Sequence, residues 1–196
     1  VGGFHETQGR SGFAHLFEHL MFQGSPHVGN DKHFPYLQQA GAKSINGTTS
    51  FDRTNYFEVV PAHELELALW LESDRFGWLM ETIDQAKLDE QREVVKNERL
   101  QRVDNQPYGL AEEKVWQAMF APSHPYYGRV IGSLSELDAA TMDDVKDFFG
   151  RYYAPSNVTL TLAGNFDTPK TKALIEKYFG TIPAGPKPAT PNVPKP

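Results

Sequence analysis

The sequence contains no cysteine. Disulfide cross-links and thiolate metal sites are thereby excluded, so any metal must be held by nitrogen or oxygen. It contains no apolar run of membrane-spanning length. It is short of positive charge, with 19 Lys and Arg against 25 Asp and Glu, which argues against a nucleic-acid surface. The opening Val1-Gly2-Gly3 has neither an initiating Met nor a basic leader, so the chain is expected to carry no secretory signal and to be a processed or excised piece of something longer. What is present is 196 residues with a 39% hydrophobic share, enough for the core of one domain.

Within that chain one pentapeptide carries chemistry: His15-Leu16-Phe17-Glu18-His19. On a helix, residues four apart lie one above the other, so His15 and His19 aim two imidazoles at one point. Glu18 reaches the same side from a neighbouring angle. Two imidazoles beside a carboxylate suit a zinc ion with an adjacent proton acceptor. The order H-x-x-E-H inverts the commoner H-E-x-x-H signature. The competing reading is an amphipathic helix with two polar histidines on its wet face.

Ser11 is expected to cap this first helix, which runs to about Gln23 with Gly24 as its stop. Asp31 is expected to cap a second, through about Ala40, with Pro35 tolerated in its first turn. The runs 43–50 and 54–60, Thr-rich and then β-branched and aromatic, read as antiparallel strands joined by Phe51-Asp52-Arg53. The apolar stripe of Leu65, Leu69, Phe76 and Leu79 predicts a long buried helix over 63–80. A charged helix over 84–103 follows, then one over 108–120. Thr141 with Asp144 forms a capping box for a helix over 142–153. Residues 158–164 read as a strand and 168–179 as the last helix. From Pro183 onward, Pro recurs among Ala, Gly, Lys and Thr, so the domain is placed at 1–182 and an extended linker at 183–196. The sequence shows no internal repeat.

Two imidazoles need a further protein ligand. Carboxylates are abundant, and on spacing alone Glu on a charged helix is more often solvated; Glu98 pairs equally well with Arg102 as a surface i, i+4 contact. The segment 91–99, QREVVKNER, together with 12–25, GFAHLFEHLMFQGS, resembles the inverted-zincin peptidases, the family of pitrilysin, insulin-degrading enzyme and mitochondrial processing peptidase. The resemblance continues in Asn46-Gly47-Thr48-Thr49 with Thr54-Asn55-Tyr56, in His124-Pro125-Tyr126 with Ile131-Gly132, and in Tyr152-Tyr153-Ala154-Pro155-Ser156-Asn157. It spans nearly all of the chain before the linker.

The resemblance implies a third zinc ligand at Glu98, with Glu93 and then Glu90 as fallbacks. It implies hydrolysis of peptide bonds in extended peptides, with one zinc ion and with Glu18 as the general base. Asn46, Gly47 and Thr48 would form the edge strand on which a peptide substrate lies, and Phe22 would line the pocket beside the metal; ordinary strand and core roles are the competing readings for these four. The family often carries a Glu seven residues before the third ligand. Here that position is Gln91, which can hydrogen-bond behind the site but brings no charge. His5, His27, His33, His63 and His124 have no partner pattern and are expected at the surface or in caps.

The implied fold class is α+β: a mostly antiparallel sheet with helices packed on one face, a processing-peptidase-like domain. The family's fold opens with strands upstream of the Gly-Gly turn; these are absent here, which leaves a sheet edge unfilled. The family also closes a second homologous domain or subunit over the zinc, and no such copy lies within these residues. A bacterial periplasm or envelope suits the family. Three readings stand: the zinc-bearing half of a peptidase, a non-catalytic scaffold or assembly subunit of the same family, and a plain metal-binding module.

Overall fold

The computed structural model describes residues 1–191 and 193. Its centre is helix α1, Phe13–Leu20, in which Phe13, Ala14, Leu16, Phe17, Glu18 and Leu20 are all buried. Six buried positions in eight residues leave α1 only the narrow face of His15 and His19 toward solvent, and the rest lies inside the core. Phe17 packs against the rings of Phe148, Phe149 and Tyr153, at 5.6, 5.7 and 4.6 Å between centroids. Leu79, Leu88, Val95, Leu137 and Val145 complete that core. A smaller cluster forms around Val28, Leu37 and Leu71.

The expected cap of α1 is corrected. Gly12, with φ 86°, is the boundary residue, which puts Ser11 one position outside the helix. The Gly12 and Ala14 amides donate instead to Glu6 Oε2 and Oε1, at 3.1 and 2.8 Å. A carboxylate suits this end of a helix, where amides are unpaired and the dipole is positive. Gly12 is required on a second count: a Cβ there would sit 2.7 Å from the Ile131 carbonyl oxygen.

Helix α2 is His33–Gln39, shorter than expected; Lys32 is its boundary and Asp31, at φ 55°, does not cap it. Strands β1, Lys43–Thr49, and β2, Thr54–Val59, pair antiparallel with Gly47 opposite Tyr56 and Thr49 opposite Thr54. Helix α3, Leu65–Trp78, is flanked by short 3₁₀ turns. Helix α4, Gln85–Arg99, is capped by Asp84, whose carboxylate accepts from the Lys87 amide at 2.9 Å. It continues as a π-helical turn, Leu100–Asp104, closed by the bond from the Asn105 amide to the Leu100 carbonyl. Helix α5 is Ala111–Met119, and a short α6, Leu134–Asp138, was not legible as a helix. Helix α7, Met142–Tyr152, starts with the expected Thr141–Asp144 capping box. Helix α8 is Thr168–Phe179.

The domain is α+β, with α1 and α2 packed on the β1–β2 hairpin. The strand expected over 158–164 is corrected. Among the described residues only β1 and β2 pair. A cleft of about 710 Å³ lies between the 54–60 and 157–166 segments, which are among its lining residues. Paired strands must approach to about 4.8 Å, and these two segments line the cleft without pairing. The outer edge of β2 is accordingly unpaired among the described residues. The Ser156 amide donates to the Ala184 carbonyl at 2.9 Å, which ties the start of the Pro-rich segment to the body. Asn192 and 194–196 of that segment lie outside the described residues.

Candidate metal centre

His15 and His19 project from one face of α1, one turn apart, with ring centroids separated by 4.8 Å. Helix α4 packs on α1 and delivers Glu98 to the same point. Glu98 Oε2 lies 3.2 Å from His19 Nε2 and 3.7 Å from His15 Nε2. One ligating atom from each of the three residues falls within 4.8 Å of the others. Four tetrahedral ligands at zinc bond lengths stand about 3.3 Å from one another, so these separations fit one ion. The donor chemistry, two imidazole nitrogens and a carboxylate, also fits zinc with a position left open.

The electrostatics agree. Burial, reinforced by the neighbouring His19, pulls His15 down to about 4, so its imidazole is neutral and free to ligate at neutral pH. The contact with His19 holds the Glu98 carboxyl below its ordinary range. Glu98 also does what a surface carboxylate does: its Oε1 pairs with Arg102 Nη1 at 2.6 Å, while Oε2 faces the imidazoles. The surface reading and the ligand reading describe its two oxygens. Glu93 pairs with Lys96, Glu90 is exposed, and neither belongs to the convergent group.

Glu18 lies beside this trio and is not part of it. It is 8% exposed, and burial raises its carboxyl above the ordinary range. Its Oε2 accepts a hydrogen bond from the Thr49 hydroxyl of β1. Gly47, on the same face of β1, has no side chain because Glu18 occupies the space: a Cβ there would lie 2.9 Å from Glu18 Cγ. Thr49 was missed as a site residue. Strand alternation would have found it, since Gly47 and Thr49 share one face.

Asn46 and Thr48 point to the other face of β1. The Asn46 side-chain oxygen accepts from the Gly47 amide at 2.9 Å, and Thr48 bonds Asn55 and Arg53. Among the described residues β1 pairs on one side only, with β2, so its other edge is open beside Glu18. Phe22 is half-buried and stacks on Phe34 at 4.8 Å, with the Arg75 guanidinium 5.0 Å from its ring centroid. Gln91 is buried on α4 two turns before Glu98 and makes no hydrogen bond among the described residues.

Among the described residues no other histidine joins the centre. His5 accepts from the Gly2 amide and His63 is exposed. His124 takes the expected capping role, its Nδ1 accepting from the Tyr126 amide at 3.1 Å, and the expectation of a surface or cap position is corrected for His33. His124 is 7% exposed beside Phe120 and Tyr126. His33 is 2% exposed, edge-on to Phe22. His27 is exposed but bonds the buried Asp74 at 2.5 Å.

An H-x-x-E-H helix on an α+β hairpin domain, joined by a Glu from a later helix, defines an inverted-zincin-like arrangement. The profile of the insulinase family, peptidase family M16, matches residues 1–125, and that of the peptidase M16 inactive domain matches 139–196. The chain belongs to the M16 family. It is 31% identical over 182 residues to the zinc protease PqqE of Helicobacter pylori, covering 93% of this chain and 40% of that protein. A solved protease from Helicobacter pylori superposes with a TM-score of 0.87 at 29% identity, over all of this chain and 46% of that one. The periplasmic protease PqqL from Escherichia coli shares the fold, with a TM-score of 0.86 at 22% identity over all of this chain and 22% of that one. The chain thus spans less than half the length of these relatives. No helix among the described residues is long and apolar enough to cross a membrane.

Proposed function

We propose that this chain is the zinc-bearing part of a metalloendopeptidase, with His15 Nε2, His19 Nε2 and Glu98 Oε2 holding one zinc ion. The observation that carries the reading is the convergence of these three side chains from two helices on one point. When bound, zinc supplies a Lewis acid that polarises a carbonyl and acidifies water. Every other part of the task falls to the chain. Glu18, adjacent to the ligands and not consumed by them, takes the proton from the attacking water and returns it to the leaving amine. Burial holds its carboxyl above the ordinary range, the direction that favours taking up the proton from the water.

The open edge of β1 supports the binding of an extended peptide through main-chain hydrogen bonds, with Asn46, Gly47 and Thr48 beneath it. Phe22 and Phe34 present an aromatic wall at the end of the motif helix. Gln91, buried on α4 two turns before Glu98, offers a neutral hydrogen-bonding group behind the site. Closure over the site is assigned to a second homologous domain or subunit, because the relatives extend well beyond the matched region. A bacterial envelope suits the reading: the Escherichia coli protein of this fold is a periplasmic protease, and a chain without cysteine is indifferent to that compartment's oxidants.

A second reading, a non-catalytic scaffold of the same family, is favoured by Gln91, which leaves the buried face of α4 uncharged at that position. Cleavage of a quenched extended peptide by the full parent protein separates the two. The peptidase reading predicts cleavage that Glu18→Gln abolishes; zinc bound without cleavage favours the scaffold.

A further inference from the structure

We propose that Thr49 is the positioning residue for the Glu18 carboxylate, an inference that rests on the peptidase reading above. A glutamate on a helix has three rotatable side-chain bonds, and a general base must point one oxygen at one water. Two contacts from β1 fix Glu18. The Thr49 hydroxyl donates to Oε2, and the bare Gly47 backbone closes against Cγ and Oε1, with no room for even a methyl group between them. Oε1 makes no hydrogen bond among the described residues, so it is the oxygen left to meet a water.

Thr49 is itself held. The Thr54 hydroxyl, opposite it on β2, donates to Thr49 Oγ1 at 3.3 Å. With that lone pair engaged, the Thr49 proton is directed at Glu18. The two hydroxyls therefore tie the reacting carboxylate to both strands of the hairpin. Thr49 touches neither metal nor substrate in this scheme; it acts through Glu18.

The test uses the full zinc-loaded parent protein and a quenched extended peptide. Thr49→Val keeps the shape and removes the hydroxyl; Thr49→Ser keeps the hydroxyl; Thr49→Ala serves if the valine variant fails to fold. The expected result for valine or alanine is a kcat lowered about 10–100-fold with bound zinc unchanged, KM within about twofold, and recovery in serine. Crystal structures supply a readout apart from activity: the Glu18 carboxylate leaves its place in the valine variant and keeps it in the serine variant. The proposal is overturned if valine leaves kcat unchanged, if serine is as impaired as valine, or if Glu18 is unmoved in the valine structure. An inactive wild type, or an active Glu18→Gln, sinks the peptidase reading instead, and the Glu18 position in the two structures still decides whether Thr49 holds it.

Discussion

Glu98 Oε2 stands 3.2 Å from His19 Nε2, although the two residues belong to different helices of a chain with no cross-link between them. Only the packing of α1 against α4, through Leu16, Leu20, Leu88 and Val95, brings them together. The metal centre is a consequence of the core. Glu98→Gln keeps the shape and removes the anionic ligand, so zinc affinity is expected to fall by more than about tenfold, measured by competition with a chromophoric chelator. Arg102→Ala is expected to weaken it far less, because Arg102 is 76% exposed and its pull on Glu98 is screened by solvent.

Glu18→Gln is expected to lower kcat by about 10²–10⁴-fold while bound zinc stays unchanged, because Glu18 lies outside the ligand trio. Peptide cleavage and atomic absorption on one preparation check both halves of this statement.

Gly47→Ala places a methyl group 2.9 Å from Glu18 Cγ and 3.0 Å from Oε1. Either the carboxylate or the strand must shift. Cleavage is expected to drop by at least about tenfold with the zinc content intact. A variant as active as the wild type would show that Glu18 has slack at this contact.

His33 is buried between Phe22 and Phe34, and burial, aided by the Arg75 charge, pulls it down to about 2. It is therefore neutral when folded, and its 3.9 Å approach to Glu72 is not an ion pair. Unfolded, its pKa is about 6.5. The unfolded state thus binds a proton below that pH that the folded state refuses. Stability is fully present above about pH 6.5 and declines as pH falls toward 2, by up to about 1.4 kcal/mol per pH unit. Urea unfolding of the metal-free chain between pH 7 and 4 is expected to show this slope in the difference between wild type and His33→Gln, since the other shifted groups, Glu6, Glu58 and His15 among them, contribute to both alike.

Phe17 is 1% exposed and touches three other rings. Phe17→Ala is expected to cost about 3–5 kcal/mol, read as a lower denaturant midpoint. Because Phe17 lies between His15 and Glu18 on α1, zinc affinity should fall with it.

The site was more legible than the sheet. His15, Glu18 and His19 are close in sequence, and helical periodicity alone puts them together. Glu98 was legible only through resemblance, since spacing along a chain says nothing of which distant helix packs where. Ser11 was a reasonable cap by residue type, but the left-handed Gly12 moved the helix start and Glu6 took the role. The residues of 158–164 have strand composition yet pair with no strand among the described residues, and a strand depends on its neighbour as much as on itself. His33 was misplaced because its burial comes from α2 and α3 together, which no local pattern records.

The central claim is that three side chains hold one zinc ion. Its most direct measurement is the zinc content of the purified chain, by atomic absorption, in the wild type and in His15→Ala, His19→Ala and Glu98→Ala. The account predicts about one zinc per wild-type chain and loss of it in each variant. Stoichiometric zinc in Glu98→Ala would contradict it.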